Sequence, residues 1–574
     1  MPERLLTPSK ITAWLECGHF LSLRNLADSG QLTIEPTPMG SLAELLVEKG
    51  STHERDCLAD LENRGLSVYQ VPGRNPDETF TQWVDRIGNP MLKGHDVIYQ
   101  MPFVNDGIRG IADFLIHVEA KDGYASYEPI DAKLTRVEGK PGHVLQLCFY
   151  AEAIAALTGL PPQHMHLWLG SGEQETLAVD QFSPYWRRLR RQLNALLNQE
   201  TTTIDTKPQP CTHCEICEFS GRCENEWRSQ DSLVYVANIR PPERAAMESA
   251  GVNTVVELAS RREPVSDVHD DNLQRLSRQA ALQVLSREQP LAPPHFELVA
   301  PSDDPVYGHG FSLIPAPDDG DVFFDFEGHP FWTARHDLFF LAGLYLRDSD
   351  ATWRYDARWA HDLDQQRVMI KELVEYFAQR REEYPLMHVY HYNHTERSSL
   401  ERLTRGTETE VLFTQLAETG FFVDLYVVAR NAIQVGTESY GLKHLERLTG
   451  FVRSGDIEGG AGAVVEYDEW MKTKQPQLLD DIARYNCEDV QATKALRDWL
   501  LEQRAAELEW RDAVVDAPVF ELDTDELVEG LKKFGEKSPE HLLGDLLNYW
   551  RRERSANTSP KFAEAASDFG ALYG

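Results

Sequence analysis

The sequence predicts a multidomain α/β protein: two mixed α/β parts joined by a helical connector. Three observations predict it. Apolar strand-like runs mix with helical patterns over residues 1–228, and again from about 305 to 510. Residues 229–300 read as mainly helical. At ~150 residues per domain, a chain of 574 residues holds several.

Composition narrows the class. Hydrophobic content of 42% and aromatic content of 10% are ordinary for a folded protein. No run of eighteen apolar residues occurs, so no membrane span is expected. The start, "MPERLLTPSKITAWLECGHF", lacks a charged head followed by an apolar core, so no secretory signal is expected and a cytoplasmic location is. There is no internal repeat and no long low-complexity tract. Lys plus Arg number 57 against 92 Asp plus Glu, a net charge of −35. Such a chain repels a phosphate backbone on average, so any nucleic acid must be met by local basic patches, bound cations or a partner. One basic cluster, "YWRRLRRQL" at 185–193, is a candidate patch and equally a solvated helix face.

In the first part, "GIRGIADFLIHVEAKDGYASYEPIDAKL" (107–134) reads as two strands around the turn "KDG". Asp113 lies on the first. Asp131 and Lys133 lie two apart on the second, hence on one face. Two carboxylates on neighbouring strands can bind a hard divalent cation, Mg²⁺ or Mn²⁺. The lysine can hold or help deprotonate an attacking water and offset phosphate charge. The bland alternative is a surface ion pair. Downstream, "QLCFY" puts Gln146 and Tyr150 on one helix face. Upstream, "KGSTHERD" supplies His53 and Glu54 before a helical stretch.

The part ends on "PCTHCEICEFSGRCENEW" (210–227), which holds four of the eight cysteines, Cys211, Cys214, Cys217 and Cys223. C-x-x-C spacing in a large intracellular chain points to metal or redox chemistry rather than disulfides. Four thiolates spaced this way can bind zinc. Cys57, Cys148 and Cys487 stand alone and read as small buried hydrophobes.

The connector contains "IRPPERAAMESAGVNTVVELAS" (239–260), two short helical patterns around Gly251. It is compatible with a helix-hairpin-helix module, and equally with an ordinary helix C-cap at Gly251. "LAPPHFELVAPSDDPVYGHG" (291–310) reads as a Pro-rich linker.

In the second α/β part, "GDVFFDFEGHP" (320–330) carries Asp325 and Glu327 on one strand face. Glu396 follows at a strand-to-helix junction in "MHVYHYNHTERSSLERL", and Asp424 in "FFVDLYVVARNA". Tyr485 and Asp489 sit at i and i+4 in "IARYNCEDVQATKAL". Four acids gathered at one point repel unless cations neutralise them, and two divalent ions there can activate water for phosphodiester cleavage. Taken singly, "DFE" also reads as an edge strand and "YNCED" as a helix start. The tail, 511–574, reads as helical at first and then weak.

The ordered set His53-Glu54, "GIAD", "DAK" and Gln146-x-x-x-Tyr150 resembles the PD-(D/E)XK nucleases of the RecB type. This resemblance implies a restriction-endonuclease-like fold over 1–228. Some relatives, the AddAB-type recombination and CRISPR adaptation nucleases, carry a 4Fe–4S cluster on one early cysteine and three late ones spaced C-x₂-C-x₅-C. Carried over, the ligands are Cys17, Cys214, Cys217 and Cys223; zinc with Cys211 in place of Cys17 is the alternative. The second acid set resembles the DEDD branch of RNase H-like exonucleases, with Tyr485 positioning a water and Asp325, Glu327, Glu396 and Asp489 as ligands. "YNHTE" departs from that pattern by offering Asn393 and Glu396, with Asp424 as a substitute. Overall the chain is similar to bacterial RecB-like nucleases that join these two domains, and "GLKHLERLTGF" and "SPEHLLGDLLNYWRRE" belong to the likeness. Many such proteins continue into a helicase. No G-x-x-x-x-G-K-[S/T] loop occurs here, so a helicase in trans is one expectation. The implied function is a DNA nuclease with two centres, the second acting 3′ to 5′, in repair, recombination or defence. A non-catalytic nucleic-acid scaffold and an RNA-directed nuclease are the alternatives. The expected division is 1–228 nuclease, 229–304 connector, 305–510 exonuclease and 511–574 tail for partner docking.

Overall fold

The computed structural model describes residues 5–33, 35–119, 125–197, 206–300, 309–348, 350–455, 457, 459–510, 527–528, 530–535, 537–547 and 549. The chain forms two compact units. Of the described residues, the first holds those up to 226 with 331–337; the second holds 227–330 and those from 338 to 549.

The first unit opens with α1 (Pro8–Glu16), α2 (Gly18–Asp28) and α3 (Ser41–Asn63). A six-stranded sheet follows in sequential order: β1 (Val68–Gln70), β2 (Val97–Asn105), β3 (Ile108–Glu119), β4 (Ala125–Lys133), β5 (His164–Leu169) and β6 (Gln174–Ala178). β1–β2 and β4–β5 pair in parallel, the rest antiparallel. A parallel pair needs a crossover, and α5 (Pro141–Thr158) supplies it between β4 and β5. Helix α4 (Phe80–Ile87) lies between β1 and β2, and α6 (Val179–Leu197) and α7 (Ser220–Ser229) follow β6. Leu147, Phe149, Tyr150 and Ile154 carry α5 into the core beside Met101, Phe103 and Leu115.

Two readings of this part change. His53 and Glu54 lie inside α3, not before a helix. The Ser51 and Thr52 hydroxyls donate back to the Val47 and Glu48 carbonyls, 3.0 Å each, so they continue a helix instead of capping one. The cluster 185–193 sits on α6 and is not one solvated face. Arg187, Arg188 and Arg191 are exposed, but Arg190 is buried, 2.9 Å from Asp106 and 3.4 Å from Glu152. The turn "KDG" lies outside the described residues.

The second unit opens with three helices, α8 (Pro241–Ser249), α9 (Val255–Ser260) and α10 (Asp270–Glu288). Residues 296–298, expected in a linker, form strand β7 (Phe296–Leu298), while 301–308 lie outside the described residues. A five-stranded sheet is built from β8 (Val322–His329), β9 (Leu338–Arg347), β10 (Trp353–Trp359), β11 (Val389–His391) and β12 (Phe422–Asp424), in the order β10-β9-β8-β11-β12. β8, β9 and β10 are antiparallel neighbours; β8, β11 and β12 run parallel. Helices α11 (Leu363–Glu383), α12 (Thr395–Thr404), α13 (Glu410–Glu418) and α14 (Leu425–Ala432) connect or follow these strands. Strand β13 (Ile433–Val435) pairs antiparallel with β7, which is why the Pro-rich stretch is ordered there. The single turn α15 (Leu442–Leu445), α16 (Gly460–Thr473) and the long α17 (Pro476–Gln503) complete it.

"DFE" is thus on the central strand, not an edge, and "YNCED" is deep inside α17. Alternation explains the first. Phe324 and Phe326 face α11 with Ile370, Leu373 and Phe377, while Phe323 faces Val490, Leu496 and Leu500 of α17. Asp325 and Glu327 share the parity of Phe323, so the pleat turns both toward α17. The expected helical start of the tail, 511–526, and its end from 550 lie outside the described residues.

Candidate active sites

In the first unit β3 and β4 bring Asp113, Asp131 and Lys133 together. Asp131 is fully buried, and Lys133 Nζ lies 2.6 Å from its Oδ2. Asp113 Oδ2 accepts from the Ala132 amide at 2.8 Å. On α5, Gln146 Nε2 donates to Asp131 Oδ1 (3.3 Å) and to the Tyr150 hydroxyl (3.0 Å), which itself donates to the Ile111 carbonyl at 2.6 Å. This chain of bonds fixes the rotation of the Asp131 carboxylate. Gly110 makes it fit, because a Cβ there would stand 2.8 Å from Tyr150 Cε1. Burial and the Asp131 charge push the Asp113 carboxyl well above the usual range. Burial opposes the Lys133 ammonium, yet Asp131 and Asp113 outweigh it and hold its pKa above the ordinary value.

Glu54 reaches this pocket and accepts from Gln100 Nε2. His53 does not join the carboxylates: Nε2 lies 3.2 Å from the Trp168 carbonyl, with Cys57 Sγ 3.8 Å away. Gln100 is a residue the motifs miss. It sits on β2 opposite Asp113 with φ +61, a left-handed conformation that costs ~1 kcal/mol or more in a non-glycine. No local sequence signal marks it.

In the second unit Asp325, Glu327 and Asp489 offer carboxylate oxygens that all lie within 4.8 Å of one another. Among the described residues they form the sole such group of acids, thiols or imidazoles. Asn486, fully buried, donates to Asp325 Oδ2 at 2.7 Å and Glu327 Oε1 at 3.4 Å, and accepts from the Tyr355 hydroxyl at 2.8 Å. Its room comes from Gly343, the β9 partner of Asp325: a Cβ there would sit 1.6 Å from Asn486 Oδ1. Asn486 stands one residue after Tyr485, so the motif contained this signal.

Burial raises Asp325, Glu327, Asp489 and the nearby Glu396, with mutual repulsion adding for Asp325 and Glu327 and Arg453 opposing at Asp489. Burial and Asp489 also keep the Tyr485 phenol protonated. Glu396, at the start of α12, acts electrostatically on Asp325 and Glu327, and its Oε2 lies 3.5 Å from His391 Nδ1. Asp424 is placed differently. Its Oδ1 accepts from the Asn393 and Tyr426 amides, 2.9 Å each, capping α14. Asn393 adopts φ +79 and shapes that corner. His391 and Arg453, the latter 2.6 Å from Asp489, are the residues the motifs miss.

The cysteines gather at the N-terminal helices of the first unit. Cys17 joins α1 to α2, and its charge bears on Cys211, Cys217 and Cys223. Cys211 Sγ and Cys214 Sγ are 3.8 Å apart. Burial and neighbouring thiols push Cys211 and Cys223 up to about 12, so the thiolate forms that bind soft cations need such a cation to persist. Around them Arg24 Nη1 donates to both Glu218 oxygens at 3.1 Å, the His213 amide donates to Glu16 at 3.0 Å, and Phe20 packs edge-on against His213 and Phe219.

Comparison with known families assigns both halves. Residues 7–224 match the PD-(D/E)XK nuclease superfamily and residues 322–501 match the RNase H superfamily. No curated protein matches the chain. Each match covers its acidic cluster, so the polypeptide joins a PD-(D/E)XK nuclease domain to an RNase H superfamily domain and is a phosphodiester hydrolase of the nuclease class.

Proposed function

We propose that the protein is a DNA nuclease with two metal-dependent centres, working in repair, recombination or defence, with a helicase as partner in trans. The convergence of the Asp325, Glu327 and Asp489 oxygens carries this reading, because buried acids this close ionise together only when cations lie between them. Asp113 and Asp131 would hold Mg²⁺ or Mn²⁺ in the first centre; Asp325, Glu327, Asp489 and Glu396 would hold it in the second. Held by these acids, divalent ions would supply an activated water and charge to stabilise the leaving oxygen of a phosphodiester. The chain's own residues do the rest. Lys133 keeps a fixed positive charge beside Asp131 to meet phosphate and hold a water. Gln146 and Tyr150 orient Asp131. Asn486 spaces Asp325 from Glu327. Tyr485 keeps its proton and presents a hydroxyl to a water near Asp489.

The thiols fit a metal group. A tetrahedral zinc with bonds of about 2.3 Å draws its sulfurs to ~3.8 Å from one another. A 4Fe–4S cluster on Cys17, Cys214, Cys217 and Cys223 is proposed on the family resemblance, while the 3.8 Å between Cys211 Sγ and Cys214 Sγ favours the zinc alternative that uses Cys211. The division into nuclease (1–228), connector (229–304), exonuclease (305–510) and tail, and a cytoplasmic location, belong to the same proposal.

The test is cleavage of end-labelled single and double strands, DNA and RNA, with Mg²⁺ or Mn²⁺. Wild type, Lys133→Ala and Asp325→Ala are compared. Each variant should lose a separable part of the product pattern. A robust activity that neither substitution alters overturns both assignments, and a preference for RNA overturns the substrate.

A further inference from the structure

Two cations border the acidic centre of the second unit, and the metal-binding acids do not account for both. Arg453 follows the turn Glu446–Leu448. Its Nε lies 3.0 Å from both Glu446 oxygens and its Nη2 2.7 Å from Oε2, while Glu446 is itself 8% exposed. That clamp consumes one edge of the guanidinium. The other end, Nη1, reaches 2.6 Å from Asp489 Oδ1. Lys443 places Nζ 5.5 Å from the centre of the Tyr485 ring, and the Arg453 guanidinium carbon lies 5.9 Å from the same ring. Both cations therefore converge where α17 presents Tyr485 and Asp489, one turn apart.

The arrangement bears on the charge problem. A chain of net charge −35 must bring a polyanion to a pocket of four carboxylates. Ions held by the acids offset the acids. The phosphodiester's own charge, and the charge that builds on its oxygens as the bond breaks, call for fixed donors nearby. An arginine suits this: it stays charged, and its planar fork loses little freedom when one edge is already held. A residue serving only to neutralise Asp489 would not need a second, rigid clamp. Nor would Lys443 be needed at the same ring.

We propose that Arg453, with Lys443 beside it, is the phosphate grip of this centre, contacting backbone oxygens of the nucleic acid next to the cleaved bond, and that Glu446 is the positioning residue that aims it. The proposal rests on the reading of this centre as a nuclease.

The experiment uses the full chain in a Lys133→Ala background, which silences the first centre. A single-stranded oligonucleotide is titrated in Ca²⁺ at several salt concentrations. Cleavage is followed in Mn²⁺, and Mn²⁺ affinity is read by electron paramagnetic resonance. Arg453→Ala should lower kcat/KM about 10²- to 10³-fold, as for loss of a transition-state donor. It should also flatten the plot of log Kd against log salt by about one unit, the signature of one lost phosphate contact. Mn²⁺ affinity should stay within about twofold of the parent. Arg453→Lys should restore the salt slope and only part of the rate, since it keeps charge without the fork. Glu446→Gln should lower kcat about tenfold with the slope unchanged. An unchanged slope in Arg453→Ala, or a loss of Mn²⁺ affinity that matches the loss of rate, overturns the proposal: Arg453 then only balances Asp489. If thermal melting shows Arg453→Ala unfolded, Arg453→Lys and Lys443→Ala decide; parent-like rate in the first or parent-like slope in the second overturns it. Failure of the underlying reading appears elsewhere, as undiminished cleavage in Asp325→Asn, and takes the proposal with it.

Discussion

In the first unit, Asp113 and Asp131 share their pocket with an ammonium on the same strand face, Lys133, 2.6 Å from Asp131. In the second unit the strand that bears Asp325 and Glu327 carries no lysine or arginine, and Arg453 reaches one acid, Asp489, from a loop. One centre brings its positive charge with its motif; the other leaves most of its negative charge for ions to balance. The supports differ less. Each site has a polar helix residue leaning on an acid, Gln146 or Asn486, and a glycine that makes room for the helix, Gly110 or Gly343. Each has one non-glycine residue in the left-handed region beside the acids, Gln100 or Asn393. Electrostatic strategy thus varies independently of scaffolding.

The sharpest way to break this comparison is Lys133→Ala. It removes the built-in cation and should lower turnover at the first centre roughly 10²- to 10³-fold while sparing the second, read from separated product patterns. Equal losses at both would erase the distinction.

Metal removal probes the other half. Burial and repulsion raise the acids of the second centre, so without ions the native state resists their ionisation and its stability falls as pH rises through their raised pKa values. At pH 7.5, Mg²⁺ at 100 times its Kd should protect α17 amides from hydrogen exchange by about 2.7 kcal/mol. β4 should gain clearly less, because Lys133 already offsets its acids. Equal protection of both elements contradicts the contrast.

Asn486→Leu should cost about 10- to 100-fold in turnover at the second centre, the usual loss for a partner that orients a ligand. Gly343→Ala should do at least as much, since its Cβ would stand 1.6 Å from Asn486 Oδ1. Gly110→Ala, which meets ring carbons, should act on the first centre alone.

The smallest effect concerns two histidines, one in each unit. Burial, with Lys133 or Arg381 nearby, lowers His143 and His388 to about 4. Their folded pKa lies below the unfolded ~6.5, so the unfolded chain takes the proton first. Stability is therefore full above pH ~6.5 and declines as pH falls toward 4. Each half-buried ring should contribute on the order of 1–2 kcal/mol to that decline. His143→Gln and His388→Gln should each flatten the acid limb of a denaturation curve, one per unit.

What the sequence disclosed follows from period. A spacing of two puts Asp131 with Lys133, and Asp325 with Glu327, on single strand faces; a spacing of four aligns Gln146 with Tyr150 and Tyr485 with Asp489. The α/β character of both halves was readable on the same grounds. Features that depend on tertiary packing were not. Gln100 takes its left-handed backbone where the β2–β3 pairing skips it, between Tyr99 and Met101. His53 points to the Trp168 carbonyl because α3 packs on β4 beside that strand. The strand at 296–298 forms because β13 offers it an edge, which Pro-rich composition does not reveal. Arg453 and Lys443 lie in a stretch with no strand or long-helix period to place them.

The seating of Cys17 beside Cys211, Cys217 and Cys223 sets a timetable for biosynthesis. A ribosome must add roughly two hundred residues after Cys17 before the last of these thiols exists, about 10–40 s at ~5–20 residues per second. Until then the nascent N-terminal helices hold a solitary sulfur exposed to oxidants and to foreign soft metals. Chains stalled or truncated before residue 211 therefore cannot finish this corner of the molecule.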